Sequence, residues 1–218
     1  SMLALNLQLE FMARTGRWEK AVAVGERLVV MNPVAHESYH MLAPLQVAAG
    51  KEEGYRKTCG QIVNRFATTT DIAIADRMAK DCLIRPGAVA DLAPVARMAD
   101  LALSKGASHP ALPFFQACRA LADYRMGRFV EAAELAGKVG DKLPYAQVEA
   151  LAVQAMALKR LNRDEEAQAV FAKAAGVFEA KMPKLESGNL GADWRDWVIA
   201  RELLREAGIL MAGDEGGR

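Results

Sequence analysis

The chain of 218 residues is close to electroneutral, with 28 Lys and Arg against 27 Asp and Glu, and 52% of it is apolar but only 6% aromatic. That length can bury a sizeable core, and the balance of charge speaks against nucleic-acid binding, which favours a basic excess. No apolar run approaches a membrane span, and no charged region precedes an apolar one as in a secretory leader.

Ala and Leu do most of the apolar filling, the profile of close-packed helices. The pattern is helical nearly throughout, and no stretch alternates with period two for long enough to suggest a strand. The Ser1-Met2 start reads as a remnant of tag removal, so the chain is expected to be an excised piece of a longer protein. The first pair of helices is expected at Leu3–Thr15 and Arg17–Met31, closed by Asn32-Pro33, where proline cannot continue the ladder. A second pair follows at His36–Ala49 and Lys51–Phe66, with Gly50 at the turn. Thr68-Thr69-Thr70-Asp71 then offers oxygen acceptors for an N-cap. The third pair reads as Asp71–Ile84 and Ala88–Ser104, hinged at Arg85-Pro86-Gly87.

After a loop from Lys105 to Pro110, the fourth pair is Leu112–Met126 and Arg128–Lys142, and the fifth is Tyr145–Leu161 and Asp164–Lys181. A longer loop, Met182–Ala192, leads to a last helix, Asp193–Leu210. The domain is expected to span 1–218, ordered over about 2–211, with 212–218 frayed.

Three stretches are near copies: GRWEKA from Gly16, GRFVEA from Gly127 and NRDEEA from Asn162. A glycine able to leave a helix with positive φ, with a small residue five places on, is the grammar of a helix–turn–helix hinge. Gly16 and Gly50 lie 34 residues apart, and Gly127 and Asn162 lie 35 apart. Ala21 to Pro33 and Ala132 to Pro144 are both twelve. A period of 34 residues of helix–turn–helix is that of the tetratricopeptide repeat, or TPR. The fold class expected is therefore all-α: a TPR-like α-solenoid, a right-handed superhelix of about five hairpins plus a C-terminal capping helix. Glu52 and Asp164 depart from the pattern, standing where Trp18 and Phe129 stand, and the third pair fits loosely.

The stretches AKDCLIRPGAV (79–89), HPALPFFQACRALADYRMGRFVEA (109–132) and DWRDWVIARELLREA (193–207) carry a more particular resemblance. Over most of 15–210 the chain resembles the TPR-like C-terminal region of large planctomycete-type bacterial Ser/Thr protein kinases and their WD40-containing relatives. The resemblance implies a helical scaffold attached to a signalling protein, without chemistry of its own. The kinase signatures HRD and DFG are absent from the sequence, so a kinase domain would lie outside it.

His36-Glu37-Ser38-Tyr39-His40 is a literal HExxH, in which two histidines one turn apart chelate zinc and the glutamate activates water. Zinc needs a third protein ligand. No HxxGxxH extension follows, and His109 is the only other histidine. The motif is better read as the first turns of the second hairpin, with a zinc hydrolase on His36, Glu37 and His40 as the alternative. No GxSxG, GxxxxGK[ST] or GxGxxG occurs. Cys59, Cys82 and Cys118 are an odd set without CxxC spacing, which suits buried thiols in a reducing, cytoplasmic compartment. No cofactor is expected.

Trp194 and Trp197 at the head of the last helix could form a recognition platform, but they are expected to pack as a cap on the apolar face of the fifth hairpin, with the Arg and Glu residues from Arg201 to Glu206 on the solvated side. In TPR proteins the first helix of each hairpin lines an inner groove. By register that groove would hold Asn6, Glu10, Arg14, His40, Lys80, Tyr124, Arg125, Lys159 and Arg160. Its basic residues suit a protein or peptide partner with an acidic tail. The function expected is a non-enzymatic interaction module, with a helical sensor of a small ligand as a further alternative.

Overall fold

The structure, a computed structural model, describes residues 1–213. Eleven α-helices are described, with no strand among the described residues: α1 (Met2–Arg14), α2 (Trp18–Met31), α3 (His36–Ala48), α4 (Glu52–Phe66), α5 (Ile72–Leu83), α6 (Ala93–Lys105), α7 (Leu112–Arg125), α8 (Phe129–Ala136), α9 (Pro144–Arg160), α10 (Asp164–Lys181) and α11 (Trp194–Ala212). The expected frayed segment falls largely outside the described residues. No described helix is long and apolar enough to cross a membrane.

Each odd helix up to α9 pairs with the even helix after it, and each even helix up to α8 packs on the next odd one. The odd helices also stack on one another from α3 through α5 and α7 to α9. The result is two layers, an inner row of odd helices and an outer row of even ones. The repeated small residue explains the close approach within hairpins: Ala21, Ala132 and Ala167 are fully buried. In the second hairpin the same register position is Tyr55, whose hydroxyl instead donates to the Asp81 carbonyl at 2.7 Å.

Four hinges share one hydrogen-bond pattern. At the first, Arg17 N–H donates to the Met12 carbonyl and Gly16 N–H to that of Ala13. The same pair recurs as Lys51 to Gln46 with Gly50 to Val47, as Arg128 to Asp123 with Gly127 to Tyr124, and as Arg163 to Leu158 with Asn162 to Lys159. This is the Schellman closure, which needs a left-handed residue just past the helix end. Gly16, Gly50 and Gly127 supply it, and Asn162 does so at φ 57°. All four positions expected in turns are in turns.

Two boundaries differ from the sequence reading by more than two residues. α6 begins at Ala93, not Ala88, because the Asp91 carboxylate accepts from Ala93 N–H and Pro94 occupies the first turn. α8 stops at Ala136, well short of Lys142, with Gly137 just past its end and Gly140 three residues on. Gly137 lies so close to Gln154 Nε2 that a Cβ there would sit 2.8 Å away. Pro144, read as closing α8, instead opens α9.

α11 covers the fifth hairpin, as expected, packing on α9 and α10 much as α9 packs on α7 and α8. It also continues across the inner face to α3. The connection before it reaches the first hairpin: Leu190 N–H donates to the Arg14 carbonyl at 2.9 Å, and Leu185 lies over Gly16. The last helix thus lies inside the superhelix as well as at its end. α9, enclosed by α7, α8, α10 and α11, is buried almost all round.

Candidate functional site

The inner face is held on α11 by polar contacts as well as apolar ones. Trp194, fully buried, donates its indole N–H to Glu10 Oε2 at 3.0 Å, and Arg195 Nη1 donates to Glu10 Oε1 at 2.8 Å. Trp197 donates to the Pro183 carbonyl at 2.8 Å and its ring lies against Phe178. Glu202 faces Arg85 at 2.9 Å, and the Glu206 carboxylate takes two bonds from the guanidinium of Arg125. Glu202 and Glu206 therefore face inward, which corrects the reading of Arg201 to Glu206 as a solvated side. Their partners lie on other repeats, so helix periodicity alone could not place them.

The part of the groove that α11 leaves open is a cleft of about 660 Å³, bounded by α1, α3, α5, α7 and the start of α11. Of the residues expected in the groove, Asn6, Glu10, His40 and Lys80 line it. Arg14 pairs with Glu10 one turn away at 3.3 Å. Tyr124 is a core residue instead: its ring packs on Phe129 across the Gly127 hinge. Arg125 lies under α11 and also donates to the carbonyls of Leu83 and Ile84. Lys159 pairs with Asp164 at 3.2 Å, and Arg160 is exposed at the end of α9.

At the cleft floor Lys80 is buried between Asp76, one turn earlier at 3.7 Å, and Glu149 of α9 at 3.4 Å, with its ammonium 4.3 Å from the centre of the Phe114 ring. Burial alone would lower the Lys80 pKa, but the two carboxylates more than offset it and raise it. Burial pushes Asp76 upward and Glu149 up to about 8, in both cases against the pull of Lys80. Burial thus favours the protonated form of both carboxylates, and Glu149, at about 8, keeps its proton toward neutral pH beside the Lys80 ammonium.

The HExxH residues point to separate partners. His40 Nδ1 meets both oxygens of the buried Asp81 carboxylate at 3.1 Å. His36 Nε2 faces Arg77 Nη1 at 3.1 Å, and burial, then Arg77 among its charged neighbours, lowers its pKa while Glu37 raises it. Among the described residues no group of three His, Cys, Asp or Glu is placed to hold a metal ion. The three cysteines are buried, and burial raises the Cys118 thiol pKa well above its ordinary value.

The sequence reading missed Asp76, Glu149, Arg77, Phe114 and the α11 carboxylates. Asp76 had a legible signal, its i,i+4 spacing to Lys80 on a helix. Glu149 had none, since its partner comes from another hairpin.

No protein-family model and no curated protein matches the chain. Among solved structures, it is similar to a Podosopora anserina protein described as a kinesin light chain with nearly identical TPR-like repeats, at 17% identity and TM-score 0.52, over 83% of this chain and 96% of that one. A second structure of that protein, carrying a single substitution, aligns at 17% identity and TM-score 0.54, over 81% and 94%. At this identity the likeness is one of fold, and the fold is TPR-like.

Proposed function

We propose that the chain is a non-enzymatic protein-interaction module whose concave cleft receives a segment of a protein partner. The observation that carries the reading is the cleft itself, an open polar hollow bounded by the inner helices α1, α3, α5 and α7 and the head of α11. TPR-like surfaces of this kind suit extended segments, because side chains from several repeats can each engage one residue of the partner.

An acidic tail would find fewer anchors there than register suggests. Arg14, Lys80 and Arg125 already face Glu10, Asp76 with Glu149, and Glu206. The cleft lining holds five carboxylates, Glu10, Glu37, Asp76, Asp193 and Asp196, against Arg77, Lys80 and Arg195. The segment it fits best therefore carries a basic side chain toward Asp193 and Asp196, with its stem along Phe114 and Phe115.

The sequence resemblance supports a finer context: a regulatory region of a bacterial signalling protein such as a Ser/Thr kinase, acting in the cytoplasm. A gene that continues upstream of residue 1 into a kinase domain is the expected finding. For the cleft, the test is a nuclear magnetic resonance titration of the labelled chain with blocked tripeptides centred on Arg or on Glu. The Arg peptide should shift the amides of Asp76, Arg77 and Asp196, and Asp196→Asn should weaken it several-fold. If neither peptide shifts these amides, the cleft is not the recognition surface.

A further inference from the structure

Three carboxylates gather round the Lys80 ammonium at the cleft floor. Its Nζ stands 3.7 Å from Asp76 Oδ2 and 3.4 Å from Glu149 Oε2, and Asp196 at the head of α11 acts by its charge on all three groups. Asp76, Lys80 and Asp196 line the cleft, while Glu149, only 2% exposed, stands back from it. Asp76 Oδ1 and Glu149 Oε1 are buried without a hydrogen-bond partner among the described residues. The two guanidinium groups of the cleft turn elsewhere, Arg77 to His36 and Arg195 to Glu10.

Three carboxylates sharing one ammonium cannot all stay ionised in a buried place without a heavy desolvation penalty, and like charges at close quarters push a proton onto one of them. Glu149 is placed to take it: it is the most buried of the three, and burial holds its pKa up to about 8 against the pull of Lys80. The other groups around it are neutral or occupied. Cys118 of α7 is a buried thiol, and Tyr145, one turn earlier on α9, is pushed up to about 12 by burial. Arg119 and Asp123 of α7 pair with each other, and every charged side chain of α8 and α10 is exposed. On the α3 side, His40 bears on Asp76 and is held by Asp81.

Resting on the reading that the cleft takes a basic side chain, we infer that it does so in exchange for a proton: a cation seated against Asp196 and Asp76 drives Glu149 to ionise, and the proton leaves to solvent. The occupant supplies a second positive charge among the three carboxylates, so the charged form of Glu149 is no longer in excess. The coupling is reciprocal, because whatever expels the proton must itself be opposed by it. In the empty cleft Glu149 keeps its proton below about 8 and has to release it on binding. Affinity for the cation therefore falls as pH drops below about 8 and levels off above it.

The test is calorimetric titration of the full chain with the blocked Arg tripeptide, whose guanidinium keeps its charge throughout, at about pH 7 and about pH 9. Affinity should rise several-fold between the two. At the lower pH the heat should differ between buffers of unlike ionisation enthalpy, in the sense of a proton released. Glu149→Gln, which keeps the neutral form in nearly the same shape, should bind at the parent's weaker level at both pH values and show no buffer effect. His36, His40 and His109 remain in that variant, so a slope that survives the substitution belongs to other groups and overturns the inference. A parent that binds equally at both pH values and releases no proton also overturns it, while leaving the cleft as the recognition surface. A peptide that binds at neither pH overturns both readings. The buffer comparison on the parent needs no variant, so it decides even where Glu149→Gln folds poorly.

Discussion

Trp194 and Glu10 meet across the interior of the molecule, indole N–H to carboxylate at 3.0 Å, and so join the eleventh helix to the first. The same carboxylate takes Arg195 and Arg14, and thus fixes how the head of α11 sits against α1. Glu10→Ala leaves a buried indole donor and two guanidinium groups without that acceptor. The expected loss is about 1–3 kcal/mol, the usual cost of stranding a buried donor. Urea unfolding should show it, and amide exchange should quicken first around residues 194–198.

Trp197 fixes the other side of α11, buried against Phe178 and bonded to the Pro183 carbonyl. Truncating a buried aromatic to alanine costs roughly 3–5 kcal/mol. Trp197→Ala should therefore lower the melting temperature markedly, and exchange should show α10 loosening before α3. A variant that melts like the parent would remove the tryptophan from the cap.

The buried trio at the cleft floor makes stability fall as pH rises. Glu149 titrates at about 8 in the folded chain, well above an ordinary glutamate, so the folded state holds a proton that the unfolded chain releases. Its contribution is complete below the ordinary carboxylate range of about 4, declines above it, and is lost as pH passes through about 8. Asp76, raised in the same way by burial, acts with the same sign. The parent should melt lower at alkaline pH than in mild acid, and Glu149→Gln should flatten that dependence. An equal slope in the variant would show that Glu149 is ionised in the folded chain.

The hinge glycines separate conformation from crowding. Gly127 has φ +77° with open space where a Cβ would go, so Gly127→Ala should cost about 1–2 kcal/mol from the left-handed backbone alone. Gly16 has φ +73°, but a Cβ there would lie 2.8 Å from Leu185 Cδ1. Gly16→Ala should therefore destabilise more than Gly127→Ala and disturb the connection before α11. Thermal melts of the two variants side by side decide this.

The hinges were legible because a left-handed turn demands a particular residue, and Gly16, Gly50, Gly127 and Asn162 announce it locally. The ends of α6 and α8 were less so: Asp91 and Pro94 set one, and Gly137, approached by Gln154 from another helix, marks the other. The candidate site was readable only in part. Register located His40 and Lys80 on the inner face, but it could not tell that Tyr124 turns into the core. Nor could it reveal that Arg125 is already met by Glu206, 81 residues later. Helix periodicity reports which face is apolar, and the carboxylates that cross between repeats leave no trace in it.

The reach of α11 from the fifth hairpin to α3 and Glu10 has a consequence for how the chain could have grown. An open solenoid can gain or lose a repeat by duplication, since each unit touches only its neighbours. Here an extra hairpin anywhere between α1 and α10 would move Glu10 away from Trp194, and Leu185 away from Gly16. A duplicated unit would therefore have to come with a longer α10–α11 connection or a longer last helix. The number of hairpins between Glu10 and Trp194 is thus tied to the reach of one helix, although the repeat itself is an extensible unit.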